Sequence, residues 1–189
     1  MNGVKNDRAK QRALIAYWAA SARAGDRQAL SQLANLLLPV MHRHAARLLG
    51  SAQDAPDIVQ SAWIEFQRSL PALRDDFAVQ AFALRITGRQ VGRRIAGLQR
   101  DRHIADAWQP EEQEAGQAEA NADAITVRAA IAALPPSHRA TLALFYLEDL
   151  TVTEVAAALD VPVGTVKTRL MHARGKLKAT LEGGENVET

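Results

Sequence analysis

The chain has 189 residues, of which 48% are hydrophobic and 23% are charged, and its formal net charge is +2. This length can bury one sizeable core or two small ones, and the absence of cysteine excludes disulfides and thiol chemistry. The most apolar stretch, residues 33–41 (LANLLLPVM), is shorter than the ~20 residues of a bilayer span, and the start lacks the apolar segment of a signal peptide. We therefore expect a soluble, cytoplasmic protein without membrane insertion.

The charge is distributed unevenly along the chain. Residues 1–104 contain 16 Lys and Arg against 8 Asp and Glu, a net charge of +8, whereas residues 105–189 contain 7 against 13, a net charge of −6. The acids of the second half lie mainly in residues 105–124 and in the C-terminal tail, and the segment from Lys167 to Lys178 has five Lys and Arg and no acid. Two basic surfaces separated by an acidic connector indicate binding to a polyanion.

The first half predicts helices and no strand, because its apolar residues recur with a period near 3.6. Asp26 and Asp54 are the expected N-caps of two helices, and Pro39 is expected to open a further helix that Gly50 ends. No function is predicted for the N-terminal residues through about Gln11. The predicted helices are 9–24, 26–38, 39–49, 54–70 and 77–100, with a loop at 71–76.

Residues 105–124 predict a linker, because they are acidic and contain no large apolar residue apart from Trp108. Further helices are expected after it, interrupted at Pro135 and ending in a helical pair. The predicted fold is all-α, with two small helical domains joined by a flexible acidic linker. The predicted segments are a first domain at 1–104, the linker at 105–124, a second domain at 125–182 and a tail at 183–189.

The final pair of helices predicts a helix-turn-helix. In the second helix an apolar stripe forms along one side, and in the short helix before it Val155, Ala156 and Leu159 point inward. The stripe contains Val166, Leu170, Ala173 and Leu177. The opposite arc contains Thr165, Lys167, Thr168, Arg169, Met171, His172, Arg174 and Lys176. Such a helix can enter a major groove about 12 Å wide, and the alternative is a solvated cationic face on an ordinary helix hairpin.

Residues 133–178 (ALPPSHRATLALFYLEDLTVTEVAAALDVPVGTVKTRLMHARGKLK) resemble region four of the extracytoplasmic-function (ECF) sigma factors. Three features carry the resemblance: the LPP start, an acidic residue followed by Leu and Thr before the short helix (Asp149, Leu150 and Thr151), and the pattern VGTVKTRL-x-x-AR-x-KL. Met171, His172 and Gly175 depart from the family's usual residues. The resemblance implies recognition of the minus-thirty-five promoter element by Thr165, Lys167, Thr168, Arg169, His172, Arg174 and Lys176.

The first half, from GDRQALSQLANLLL to DAPDIVQSAWIEFQRSL, resembles region two of the same family. The resemblance implies that the helix beginning near Asp54 docks on core RNA polymerase through Asp57, Gln60 and Ile64. Ile64 is an apolar residue on an otherwise polar arc of this helix, and the alternative reading is a single exposed apolar residue without a function. Pro56 stands where the family usually has an acidic residue.

The helix predicted at 77–100 carries a cationic side formed by Phe82, Arg85, Arg89, Arg93 and Arg100. Arginines neutralise phosphates and an aromatic ring can stack on an unpaired base, so this side suits a single strand. The alternative is a solvated arginine face with Phe82 in the core. The resemblance implies that this helix and the loop before it recognise the minus-ten element through Arg74, Asp75, Phe77, Phe82, Arg85, Arg89 and Arg93.

The resemblance implies an ECF sigma factor that binds core RNA polymerase and directs promoter-specific transcription initiation, with an anti-sigma factor as a further partner. We expect no catalysis, cofactor or metal. A polymerase-independent regulator is one alternative, and it predicts tight specific DNA binding by the isolated chain. A metal-dependent enzyme is the other, but His42 and His44 lie about 200° apart on a helix and cannot easily share an ion.

Overall fold

The computed structural model describes residues 2–104, 127 and 129–184, with side chains over 9–98, 127 and 129–180. These residues form helices and turns without a strand, which confirms the all-α class. They divide into two compact units: the first unit contains the helices before residue 105, and the second unit contains most of the helical residues after 126. The predicted linker at 105–124 and residues 185–189 of the predicted tail lie outside the described residues.

Four helices build the first unit, and the first two differ most from the prediction. Helix α1 begins at Asn2 rather than near Ala9, so the N-terminal residues without a predicted function form the start of this helix. The two helices predicted on either side of Pro39 are a single helix. The bounds are α1, Asn2–Arg23; α2, Arg27–Leu49; α3, Ala55–Ser69; and α4, Val79–Ile104.

Pro39 lies inside α2, so the prediction that it opens a helix is wrong. Proline removes a backbone N–H and costs a helix interior about 3 kcal/mol. Leu37, Val40 and Met41 on both sides of it are buried in the core of the first unit, at 1%, 6% and 0% exposure. Burial of this apolar face holds the helix continuous, because tertiary packing supplies most of the stability of a helix in a protein.

The predicted caps have different outcomes. Asp26 accepts hydrogen bonds from the backbone N–H groups of Gln28 and Ala29, at 2.8 and 3.1 Å, as an N-cap should. Gly50 ends α2 at a φ of +73°, a conformation that glycine adopts without strain. Asp54 occupies the N-cap position of α3 but makes no capping hydrogen bond through its side chain.

Two short 3₁₀ turns, Leu70–Ala72 and Asp76–Ala78, occupy the segment between α3 and α4, where a plain loop was predicted at 71–76 and the next helix was predicted to begin at Phe77. Leu70 and Val79 at its two ends are buried, at 3% and 0% exposure. The segment is therefore fixed to the core at both ends, with the residues between them nearer the surface.

The described residues after 126 form a helical segment that includes residues 129–132, followed by three helices: α5, Pro136–Leu142; α6, Val152–Leu159; and α7, Val163–Gly184. All of them belong to the second unit except residues 157–160, which are grouped with the first unit. A π-helical turn at Ala143–Leu147 continues α5. Helix α6 begins with a capping box, in which the Thr151 N–H donates to Glu154 Oε2 at 2.7 Å and the Glu154 N–H donates to Thr151 Oγ1 at 3.3 Å.

The predicted inward stripe of α7 is confirmed at three of its four positions. Val166, Leu170 and Ala173 are buried, at 0%, 5% and 0% exposure, and Leu177 is half-buried. The outward arc of α7 therefore faces away from the core of the second unit. Across the described ranges, no helix has the length and apolarity that crossing a membrane requires.

Candidate nucleic-acid and polymerase interfaces

The outward arc of α7 presents basic and hydroxyl side chains along one side of the helix. Lys167, Thr168, His172, Arg174 and Lys176 are exposed, and Thr165 and Arg169 are half-buried. The capped helix α6 and the turn after it precede α7, which is the order of elements in a helix-turn-helix. Every residue predicted for the minus-thirty-five element thus lies on α7, and the turn leads directly to its N-terminal end.

Arg174 is held by two aromatic residues of the π-helical turn. Its Nε donates to the Tyr146 hydroxyl at 2.7 Å, and its guanidinium lies 5.5 Å from the ring centre of Tyr146 and 5.9 Å from that of Phe145. A guanidinium within about 6 Å of a ring centre is attracted to the ring, by about 0.5–1 kcal/mol at an exposed site. Tyr146 therefore positions Arg174, a role that the sequence analysis missed because the partners are 28 residues apart.

His172 stacks on His138 of α5. The ring centres are 6.2 Å apart and the planes differ by 9°. Burial, followed by the charges of Arg169, His172 and Lys176, lowers the pKa of His138 below its usual 6.5. A lowered pKa keeps His138 neutral at pH 7, so that it does not add to the charge repulsion on this face.

The polar arc of α3 is exposed as predicted. Asp57 and Gln60 are exposed, and Ile64 remains 42% exposed beside them. On the opposite side of α3, Val59 and Phe66 are buried in the core, at 1% and 0% exposure. The three residues predicted to bind polymerase therefore share one accessible face.

Two aromatic residues predicted for the minus-ten element occupy different environments. Phe82 is half-buried and packs against Phe66, with the ring centres 6.1 Å apart, which agrees with the alternative placement in the core. Phe77 is 62% exposed, and its N–H donates to Asp75 Oδ1 at 2.9 Å. Phe77 is therefore the ring that is more available to stack on a base, and Asp75 serves to fix the local backbone.

The arginines of α4 form a stripe on its surface, which we call the arginine stripe and define as Arg85, Arg89 and Arg93. Their side chains are 40%, 44% and 64% exposed. Arg74 in the preceding segment is also exposed. The side chain of Arg100 lies outside the described side chains, so its predicted place on this side stays a prediction.

Arg23, at the end of α1, was missed by the sequence analysis and fixes the segment before α4. Its Nη2 lies 3.2 Å from Asp76 Oδ2, and its Nη1 donates to the backbone carbonyl of Leu73. The two side chains of this ion pair are 27% and 25% exposed, so solvent screens the pair less than a fully exposed one. The contact holds Asp75 and Phe77 in place relative to α1.

We expect Arg23→Gln to destabilise the first unit by about 1–2 kcal/mol, because it removes a charge-assisted hydrogen bond and a partly buried ion pair. Urea denaturation followed by tryptophan fluorescence measures this change. Arg27→Gln, at an exposed arginine in the first turn of α2, is the matched control and should be close to neutral. Equal effects of the two substitutions would contradict the role given to Arg23.

Among the described residues, no group of three or more His, Asp or Glu side chains is placed to hold a metal ion. His44 is buried at 1% exposure, whereas His42 is half-buried. The different burial of the two rings agrees with their predicted separation around α2.

Two family profiles match the chain, in the order of its two units. Residues 33–101 match the Sigma-70 region 2 family, and residues 125–177 match Sigma-70, region 4. Together with the helix-turn-helix and the exposed basic arc of α7, these matches define the class of protein as a sigma-70-type transcription initiation factor.

Proteins of similar length align with most of this chain. The ECF RNA polymerase sigma-E factor of Escherichia coli K12 is 30% identical over 167 residues, covering 79% of this chain and 85% of the relative. SigM of Mycobacterium tuberculosis H37Rv, an ECF RNA polymerase sigma factor, is 30% identical over 160 residues, covering 84% and 80%. SigW of Bacillus subtilis is 25% identical over 174 residues, covering 83% and 91%. The chain belongs to the ECF sigma factors of RNA polymerase.

Solved structures show the same fold. The sigma factor RpoE of Bartonella quintana, in complex with the anti-sigma factor NepR, matches with a TM-score of 0.68 and 20% identity over 84% of this chain and 98% of that one. CnrH, in complex with the cytosolic domain of CnrY, matches with a TM-score of 0.62 and 24% identity over 90% and 98%. As an ECF sigma factor, the chain binds core RNA polymerase and directs promoter-specific transcription initiation.

Proposed function

We propose that the two units divide the work of promoter recognition. Residues 1–104 bind core RNA polymerase and the unpaired minus-ten strand, and residues 125–182 read the paired minus-thirty-five element. The outward arc of α7 supports this proposal most strongly. Lys167, Thr168 and Lys176 are exposed there, on the side of the helix opposite the buried apolar stripe. A helix with this arrangement can insert in the major groove while its basic residues neutralise phosphates.

In the second unit, we assign the duplex contacts to residues on one helix face. The residues are Thr165, Lys167, Thr168, Arg169, His172, Arg174 and Lys176. The hydroxyl and amine groups near the N-terminal end of α7 are nearest to base edges in this mode of docking, and the basic groups further along suit phosphates. Tyr146 supports the contact of Arg174 with DNA by fixing its guanidinium.

In the first unit, we assign the contacts with the minus-ten strand to the segment before α4 and to the arginine stripe. The residues are Arg74, Asp75, Phe77, Phe82, Arg85, Arg89 and Arg93. Phe77 supplies an exposed ring for a base, and the guanidinium groups supply charge for the backbone. Phe82 supports this surface from the core side, through its contact with Phe66. Unpairing and unstacking a base of the duplex costs a few kcal/mol, which these contacts and polymerase together offset.

The protein performs no reaction of its own in this proposal and needs no cofactor or metal. It acts in the cytoplasm, together with the polymerase that it directs. An anti-sigma protein is a proposed partner, since the RpoE neighbour was solved in complex with one. Residues 105–124 have six Asp and Glu and no Lys or Arg, and we propose that they act as the connector between the two units.

Polymerase docking through the exposed face of α3 is tested by Ile64→Glu. The side chain is 42% exposed, so the substitution leaves the core of the first unit intact and places a charge in the proposed contact. We expect affinity for purified core RNA polymerase to fall at least about tenfold, because a carboxylate buried in the contact loses its hydration without gaining a partner. Fluorescence anisotropy of labelled protein titrated with core enzyme measures the change.

Gln32→Glu is the control for this experiment, because it introduces the same charge at an exposed position of α2 outside the proposed face. It should bind core enzyme like the wild-type chain. If Ile64→Glu folds normally and binds as tightly as Gln32→Glu, the α3 face does not contact polymerase.

A further inference from the structure

Glu65 places a carboxylate directly on the arginine stripe. Arg89 Nη2 lies 2.8 Å from Glu65 Oε1, and Arg93 Nη1 lies 3.4 Å from Glu65 Oε2. Gln90 Nε2 donates to the same Oε2 at 2.6 Å. The Glu65 side chain is 27% exposed, so it is partly withdrawn from water and held by three donors of α4. The carboxylate therefore uses hydrogen-bond donors that a nucleic acid would need.

A carboxylate and a phosphate present similar groups to a guanidinium. Both offer two anionic oxygens, and arginine pairs with either through charge-assisted hydrogen bonds. A strand that binds along the arginine stripe must therefore displace Glu65 from Arg89 and Arg93, or share these groups with it. The cost of that exchange reduces the free energy that phosphate contacts would otherwise supply.

We propose that Glu65 acts as an internal substitute for a DNA phosphate and thereby lowers the affinity of the free chain for single-stranded DNA. The inference rests on the proposed binding of the unpaired strand by the arginine stripe and adds a means of regulating it. The free chain binds unrelated single strands weakly, because the one negative charge of Glu65 already compensates part of the charge of Arg89 and Arg93. At a promoter, polymerase and the other contacts hold the opened strand in place long enough to exchange with Glu65.

The neighbouring ion pair provides a comparison within the same pair of helices. Asp54 Oδ1 lies 3.8 Å from Arg94 Nη2, at the start of α3, and the two side chains are 53% and 51% exposed. Asp54→Asn and Glu65→Gln each remove one negative charge near α4. A general increase in net positive charge predicts equal effects of the two substitutions, whereas release of the arginine stripe predicts an effect of Glu65→Gln alone.

The test measures binding of the full-length chain to a fluorescein-labelled oligothymidylate by anisotropy, at a series of salt concentrations. We expect Glu65→Gln to bind about 3- to 10-fold more tightly at low salt, because two partly compensated guanidinium groups become available. The plot of log affinity against log salt should steepen by about 0.7 for each additional phosphate neutralised. Asp54→Asn should change the affinity less than about twofold.

Glu65→Asp is a second variant, because it keeps the charge on a shorter side chain and should bind the oligonucleotide like the wild-type chain. If Glu65→Gln disturbed the packing of the helices, the variant would bind the oligonucleotide more weakly. Tighter binding with a steeper salt dependence therefore indicates that Glu65 competes with DNA phosphates for the arginine stripe. If Glu65→Gln binds no more tightly than Asp54→Asn, or binds more weakly, the proposed role of Glu65 is wrong.

The double substitution Arg89→Gln with Arg93→Gln separates this inference from the proposed function. Weaker binding by the double variant, without tighter binding by Glu65→Gln, rejects the role of Glu65 and leaves the arginine stripe as a strand-binding surface. Wild-type binding by both variants rejects the arginine stripe itself.

Discussion

Phe66→Ala is expected to lower the free energy of unfolding of the first unit by about 3–5 kcal/mol, the usual cost of removing a buried aromatic ring. Phe66 is 0% exposed, and its ring lies 5.1 Å from that of Trp63 and 6.1 Å from that of Phe82. The substitution leaves a cavity between α3 and α4, the helices that carry the proposed polymerase and strand contacts. Urea denaturation followed by tryptophan fluorescence measures the loss, since Trp18 and Trp63 both belong to the first unit.

Phe77→Ala is the matched control, because it removes the same ring at a position that is 62% exposed. It should change stability by no more than about 0.5 kcal/mol. It should nevertheless reduce promoter opening by the holoenzyme, since stacking of one base on an aromatic ring contributes about 1–3 kcal/mol. Comparable destabilisation by the two substitutions would contradict the placement of Phe66 in the core and of Phe77 at the surface.

Arg169→Ala is expected to reduce transcription from a promoter that depends on the minus-thirty-five element by about 10- to 100-fold. Arg169 is half-buried on the outward arc of α7, one turn after Thr165. Loss of a good arginine contact with a base costs about 1–3 kcal/mol of discrimination. The measurement is run-off transcription with purified core enzyme, from a genomic fragment that the wild-type chain activates.

Lys178→Ala removes the same charge from the same helix, further from the turn, at a position outside the predicted set. It should weaken binding slightly and uniformly across sequences, as expected for a contribution to phosphate attraction alone. If the two substitutions reduce transcription equally and on all templates, α7 supplies charge without sequence recognition.

Much of the fold could be predicted from the sequence because local patterns decide it. The spacing of Val166, Leu170 and Ala173 identified the buried side of α7, and therefore also its outward arc. The same reasoning separated the polar arc of α3, with Ile64, from its buried side. Asp26 and Gly50 marked ends of α2, because a cap depends on residues within one turn.

The remaining features depend on contacts between residues that are distant in sequence. Pro39 stays within a helix because the residues around it are buried, which local propensity does not include. Arg23 meets Asp76 and Glu65 meets Arg89 across separations of 53 and 24 residues, so helix packing decides both pairs. The exposure of Phe77 goes with its place in the 3₁₀ turn before α4, and the partial burial of Phe82 goes with its contact with Phe66 of α3.

Transcription from genomic fragments by purified core RNA polymerase, with and without this chain, tests promoter-specific initiation. Core enzyme with the chain should initiate at specific sites, core enzyme alone should not, and the chain alone should bind those sites weakly. Initiation at the same sites without the chain, or failure of the chain to associate with core enzyme, would contradict this function.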